Sequence, residues 1–230
     1  MPKSHRFHTT ASVALCALAL ACSSESGTPN DSVAAAPAPS ASAAALELRL
    51  DESGADPSMV QRTPIDGGVH VVTGPAATMY NAADTVSGNY TVQATFRQMK
   101  KPTHAEAYGI FAGGSDMAGP QSAYFYLLAR GDGQWSLKHR ADSATVHTLV
   151  DWTASPAVVV EDSTGQATNA LSMEFGADSV AFAVNGTQVH KVARASLDSG
   201  PDHAGTVGVA GIRVNHNLDV QVTGFRIGRM

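Results

Sequence analysis

Cysteine is nearly absent from this 230-residue chain. Only Cys16 and Cys22 occur, both near the start. The body therefore forms no disulfide, no thiolate metal site and no cysteine nucleophile, and its stability rests on an apolar core. Charge is scarce as well. Asp, Glu, Lys and Arg make up 15% of the residues, against about a quarter in ordinary globular proteins. The balance is acidic, at -5. Lys100-Lys101 is the one basic doublet of the body, and Pro102 after it marks a loop. Nucleic-acid binding needs clustered Lys and Arg, so that class of partner is excluded. No apolar run reaches the about 20 residues of a membrane-spanning helix, and no sequence repeat recurs at a fixed period, which argues against a propeller.

What is present begins with an address. Residues 1–8 carry Lys3 and Arg6 and no acid, and an apolar run follows over residues 11–21. Its length is that of a signal-peptide core. The sequence Leu18-Ala-Leu-Ala-Cys22 resembles the bacterial lipobox, in which a small residue precedes a cysteine that is acylated and becomes the new N-terminus. Ala21 fits the position before the cut, while Ala19 stands where the pattern prefers Leu. The resemblance implies a lipid on Cys22, and a diacylated cysteine is a stable anchor because each buried CH₂ contributes about 0.8 kcal/mol. Ordinary cleavage after Ala19-Leu-Ala21 is the alternative and would release a soluble periplasmic or secreted protein. Residues 22–45 are rich in Ser, Ala and Pro. They bury too little surface to offset their ordering entropy and are expected to form a tether. The expected organisation is a leader over 1–21, a tether over 22–45 and one domain over 46–230, exported and anchored at the cell envelope.

The domain reads as strands. Tyr90-Val92-Ala94-Phe96 alternates with polar residues, as do Leu171-Met173-Phe175, Val180-Phe182-Val184 and Leu218-Val220-Val222. Period-two alternation marks half-buried strands. Ala123–Ala129 is apolar on both faces and suits a central strand, and Pro156–Val160 is a further short apolar run. Val192–Leu197 suits a single helical turn. Asn185-Gly186 and Asp132-Gly133 each favour the positive φ of a two-residue hairpin loop. With Asn185-Gly186 as loop, Val184 pairs with Thr187 and Phe182 with Val189, on one apolar face. Roughly ten to twelve strands at short spacing point to an all-β, two-sheet antiparallel sandwich.

Several stretches together resemble the 3-keto-disaccharide hydrolase domain, a branch of the concanavalin A-like lectin/glucanase jelly rolls. They are Ser87–Phe96, Tyr108–Phe111, Ala123–Leu128, Asn169–Phe175, Val180–Gly186, Gly205–Val209 and Val222–Ile227. The resemblance spans roughly residues 46–230 and implies a jelly-roll fold with a carbohydrate ligand. Two departures stand against the activity in the family's name. The strand over 123–129 has no Asp or Glu where members often carry an acid, and the glucanase pattern Glu-x-Asp-x-x-Glu is absent.

Catalytic chemistry has little local support. Glycoside hydrolysis needs two facing carboxylates, and of the acids only Glu106, just before Tyr108, is retained as a weak candidate. No Gly-x-Ser-x-Gly elbow occurs, and the histidines of the body, at 70, 104, 139, 147, 190, 203 and 216, lack zinc-binding spacing. No cofactor is expected. Calcium, which this fold class often holds, has no Asp-x-Asp-x-Asp run to bind it.

One constellation points to a ligand. With Asp132-Gly133 as a two-residue loop, Arg130 pairs with Trp135 and Tyr126 with His139, so Tyr126, Arg130, Trp135 and His139 share one face. Aromatic rings beside hydrogen-bonding groups suit a sugar, whose CH face stacks while its hydroxyls find donors. Core or rim packing, with Arg130 lying along the surface, is the other reading of these residues. The function read from the sequence is a non-catalytic glycan-binding module of the envelope that touches the membrane only through Cys22. The alternatives are a hydrolase acting on a modified disaccharide and a structural or protein-binding lipoprotein.

Overall fold

A computed structural model describes residues 46–198 and 205–230. The expected leader over 1–21, the lipidation candidate Cys22 and the expected tether over 22–45 lie outside the described residues, as does His203. Among the described residues, fourteen strands form two antiparallel sheets of seven. The first sheet holds, in spatial order, β1 (Glu47–Leu50), β4 (Ala77–Val86), β13 (Gly208–Val214), β6 (Ala107–Ser115), β7 (Ala123–Arg130), β8 (Gln134–Arg140) and β9 (Val146–Ala154). The second holds β12 (Thr187–Ala193), β11 (Ser179–Val184), β10 (Ala167–Phe175), β5 (Tyr90–Gln98), β14 (Asp219–Arg229), β3 (Gly68–Thr73) and β2 (Val60–Ile65). One helical turn, Ala195–Asp198, follows β12. Among the described residues no helix is long and apolar enough to cross a membrane.

Alternation dictates the core. Every second residue of β5, Tyr90, Val92, Ala94 and Phe96, is buried, and β10 and β11 repeat the pattern with Leu171, Met173, Phe175, Val180, Phe182 and Val184. These residues meet the inner side of the first sheet. Phe96 stacks on Tyr108 of β6 at 5.1 Å, and Phe175 packs on both Tyr90, at 4.1 Å, and Phe125 of β7, at 5.6 Å. Each such ring removed from water contributes about 1.5–3 kcal/mol. The strand over Ala123–Arg130 is buried on both faces because its outer side carries a second cluster, formed by Tyr80, Phe111, Tyr124, Tyr126 and Leu128.

Three expectations change in detail. The Asn185-Gly186 hairpin pairs Val184 with Thr187 as expected, but a β-bulge between Phe182 and Ala183 sets Phe182 opposite His190 rather than Val189. Pro156–Val160 is not a strand. The Asn169 side chain takes the place of a neighbouring strand there, accepting from Val159 N at 2.8 Å and donating to Val159 O at 3.2 Å. Strands outnumber the expected ten to twelve, because β1, β2 and β9 lack clean alternation of buried residues.

The Asp132-Gly133 hairpin overturns a larger expectation. Gly131, Asp132 and Gly133 all belong to the β7–β8 loop, so Arg130 pairs with Gln134, Ala129 with Trp135, Tyr126 with Lys138 and Phe125 with His139. Gly133 takes a φ of 86°, the left-handed position that closes a three-residue loop. A one-residue change of register moves every side chain of one strand to the other side. Tyr126 and Arg130 therefore lie on the outer face, while Trp135 and His139 lie with Leu137 on the inner side. Trp135 is buried in the main core and has His190 of β12 at 5.9 Å. His139 is buried and stacks on His147 of β9. The four residues share no face.

Candidate functional site

The outer face of the first sheet is built on an ionic floor. Asp51, just after β1, accepts from Arg213 Nη1 of β13 at 2.9 Å and from Arg140 Nη2 of β8 at 2.8 Å, and Arg213 Nη2 reaches its second oxygen as well. Tyr124 of β7 lies between the two arginines, its hydroxyl accepting from Arg140 Nε at 3.1 Å and Arg213 Nη1 at 3.0 Å. The Arg213 guanidinium also covers the Tyr126 ring at 4.8 Å. Burial alone would push the Asp51 carboxyl up. The charge and hydrogen bond of Arg213, with the charges of Arg140 and Arg49, outweigh that and hold it below its ordinary range. Both arginine side chains are 6% exposed, so this network orders the sheet and is not itself a surface for a ligand.

Beside it, the face becomes accessible. Trp152 of the edge strand β9 is half-buried against the outer cluster. The Arg130 guanidinium sits 4.2 Å from its ring centre and Lys138 Nζ 5.5 Å away. Arg130 is fixed in turn by Asp132, to which its Nε donates at 2.8 Å, and Gln134 Nε2 also donates to Asp132. This arrangement sets a partly exposed indole beneath the Arg130 guanidinium, with further cationic and amide donors around it. Of the expected constellation only Tyr126 and Arg130 belong here, and Tyr126 is covered. Trp152 supplies the aromatic ring expected of Trp135. Its strand alternates poorly, and nothing in the local sequence separates it from an ordinary edge residue.

Glu106 lies elsewhere, where the loop after β5 enters β6. It is buried, and its Oε1 stands 3.0 Å from His104 Nε2 and 2.8 Å from His216 Nε2. His216 comes from the turn between β13 and β14, which a hydrogen bond from Asn215 N to Ala107 O, at 2.9 Å, ties to the start of β6. A cleft of about 160 Å³ opens beside these groups, lined by Lys101, His104, Glu106, Gly131, Asp132 and Glu161 among others. Gly131 leaves the cleft its wall. A Cβ there would stand 2.6 Å from Glu161 Oε2 and 2.9 Å from Gln98 Nε2. The hydrogen bond from Lys101, at 2.8 Å, holds the Glu161 carboxyl below its ordinary range. Glu161 is thus an anion and not a proton donor. The partnership of Glu106 with His216 could not be read locally, since His216 lies 112 residues beyond His104 in the chain.

No family model matches the chain, and no curated protein matches it. Solved structures do. A carbohydrate binding module of type CBM66 from Bacillus subtilis superposes with a TM-score of 0.55 at 9% identity, covering 79% of this chain and 95% of that one. A Bacillus subtilis protein of unknown function with a galectin-like fold gives 0.55 at 12% identity, covering 81% and 90%. A Bacillus licheniformis β-glucanase gives 0.51 at 8% identity, covering 80% and 92%. The fold is a concanavalin A-like, galectin-like jelly roll. At these identities the likeness concerns the fold alone, and the jelly roll carries many unrelated functions.

Proposed function

We propose that this jelly roll is a carbohydrate-binding module, tethered to the bacterial cell envelope through a lipid on Cys22, whose ligand surface is the outer face of the first sheet around Trp152. The observation that carries the reading is the partly exposed Trp152 side chain with the Arg130 guanidinium over its ring and Lys138 beside it. The exposed part of the indole offers an apolar contact for the CH side of a sugar, and the guanidinium and ammonium donors reach its hydroxyls or an anionic substituent. The buried ion network alongside keeps the strands that carry these groups in fixed register, so little ordering is required on binding. The CBM66 neighbour, named as a carbohydrate binding module, supports the same ligand class. The test is a glycan array probed with the full chain, with and without calcium. Selective binding that Trp152→Ala weakens by about tenfold or more, at unchanged melting temperature, is the expected result. A blank array in both conditions, or binding indifferent to Trp152→Ala, overturns it.

A second reading, hydrolysis of a modified disaccharide as in the 3-keto-disaccharide hydrolases, is favoured by one observation: Glu106 is buried in a cleft that Glu161 and Asp132 also line. One feature weighs against it. The cleft, at about 160 Å³, is smaller than the roughly 300–1,000 Å³ of ordinary ligand pockets. Glu161, held ionised by Lys101, suits only the base or nucleophile of a glycosidase pair, which leaves Glu106 as the proton donor. Release of reducing sugar from 3-keto-disaccharides by the wild-type chain, lost in Glu106→Gln, would replace the first reading with this one.

A further inference from the structure

His104, Glu106 and His216 converge on one point. The three atoms His104 Nε2, His216 Nε2 and Glu106 Oε1 form a triangle with edges of 3.0, 2.8 and 3.1 Å. Protons alone satisfy this triangle poorly. A carboxylate oxygen donates nothing, and each Nε2 carries at most one hydrogen. If both nitrogens are protonated, both can donate to Glu106, but two N–H groups then face each other across 3.1 Å. If one nitrogen is bare, its lone pair faces the carboxylate. With Glu106 ionised, at least one edge is repulsive in every histidine protonation state. A single cation among the three atoms makes all three contacts favourable at once.

We propose that His104, Glu106 and His216 form a binding site for a divalent first-row transition metal. Their donor atoms all lie within 4.8 Å of one another, on two loops held together by the Asn215–Ala107 hydrogen bond. The donor types select the metal. Two imidazoles and one carboxylate suit zinc, cobalt or iron(II), whereas calcium and magnesium take all-oxygen sets. The spacing fits as well. Adjacent corners of an octahedron with bonds of about 2.1 Å are about 3.0 Å apart, and a tetrahedral zinc site needs the edges to widen by about 0.2–0.6 Å. Charge agrees with geometry. Among the described residues lining the cleft, Glu161 is paired with Lys101 and Asp132 with Arg130, while Glu106 is partnered only by the two histidines. Glu106 is 5% exposed and the histidine side chains 55% and 48%, so a rigid carboxylate anchors the ion and the imidazoles close on it from the solvent side. Three protein donors leave coordination positions for water or for an oxygen of a molecule in the cleft, the arrangement of an open rather than a structural site. None of the three ligands belongs to the Trp152 face, so the site stands whether or not that face binds glycan.

The test uses the full chain, stripped with a chelator and dialysed. Co²⁺ is titrated with its visible absorption as readout, and Zn²⁺ by calorimetry. Wild type takes up one equivalent at this site, while His104→Ala and His216→Ala each weaken that uptake by about tenfold or more. Both histidines are exposed, so the metal-free variants melt with the wild type, and Zn²⁺ raises only the wild-type melting temperature. Glu106→Gln, which keeps the side-chain volume, also weakens binding. No uptake by wild type overturns the proposal. So does uptake equal in wild type and both histidine variants, which would place the metal at other groups such as His5, His8 or Cys22.

Discussion

Replacing Asp51 with Asn would remove one negative charge from beneath two buried arginines while keeping the side chain's shape. Arg140 and Arg213 would then lie close together with no counter-ion, their side chains 6% exposed. Breaking a buried ion pair from one side costs about 3–5 kcal/mol. Asp51 itself is 16% exposed, and the amide oxygen still accepts a hydrogen bond, so the lower end, about 3 kcal/mol, is expected. For a domain of this size, at roughly 2–4 °C per kcal/mol, the melting temperature falls by about 6–12 °C. The loss carries a pH signature. The carboxyl is depressed in the folded state below its ordinary value of 3.8, so its contribution is complete above that value and fades as pH falls through the folded one. Urea denaturation at pH 7 should show the full gap between wild type and Asp51→Asn, and denaturation below about pH 3.8 a shrinking one. Equal stabilities at pH 7, or a gap that persists undiminished in acid, would refute the assignment of this network as an ionic support of the sheet.

Trp135→Ala is expected to cost about 3–5 kcal/mol by denaturant unfolding, because Trp135 lies in the main core. A surface role would give a stability change under about 0.5 kcal/mol. Cys22→Ser is expected to move the protein from the membrane fraction to the soluble fraction of cells, and retention on membranes would count against the lipid anchor.

Much of the fold was legible in the sequence because a half-buried strand writes its two faces in alternate residues. Tyr90–Phe96, Leu171–Phe175 and Val180–Val184 each show this, and each is a strand with the expected side buried. Register was less legible. Gly131-Asp132-Gly133 offers glycine on both sides of the aspartate, so loops of two and three residues are both allowed by local chemistry. A signal existed one level up. Only the three-residue loop sets Phe125, Leu127 and Ala129 opposite His139, Leu137 and Trp135, which collects the apolar residues on one side. The expected constellation fails at that step, and Trp152 carries no mark in the sequence because its edge strand has no alternation. The cluster around Glu106 was out of reach for a different reason. His104 and His216 are joined only by tertiary structure, and motif spacing records ligands that share one helix or loop.

The placement of β14 has a consequence for the order of assembly. It is the last of the fourteen strands along the chain, yet it lies inside the second sheet, between β5 and β3. Until it arrives, β5 and β3 each present a bare edge, and Val69, Val71 and Phe96 lack the Val220 and Val222 that pair beside them. The topology predicts that a partial sandwich growing from its N-terminal end keeps these edges bare, and that folding waits for nearly the whole domain to be available. A polypeptide that must be threaded through a translocation pore before folding would benefit from that delay, while the exposed strand edges in the interval would make it dependent on chaperones to avoid pairing with its neighbours.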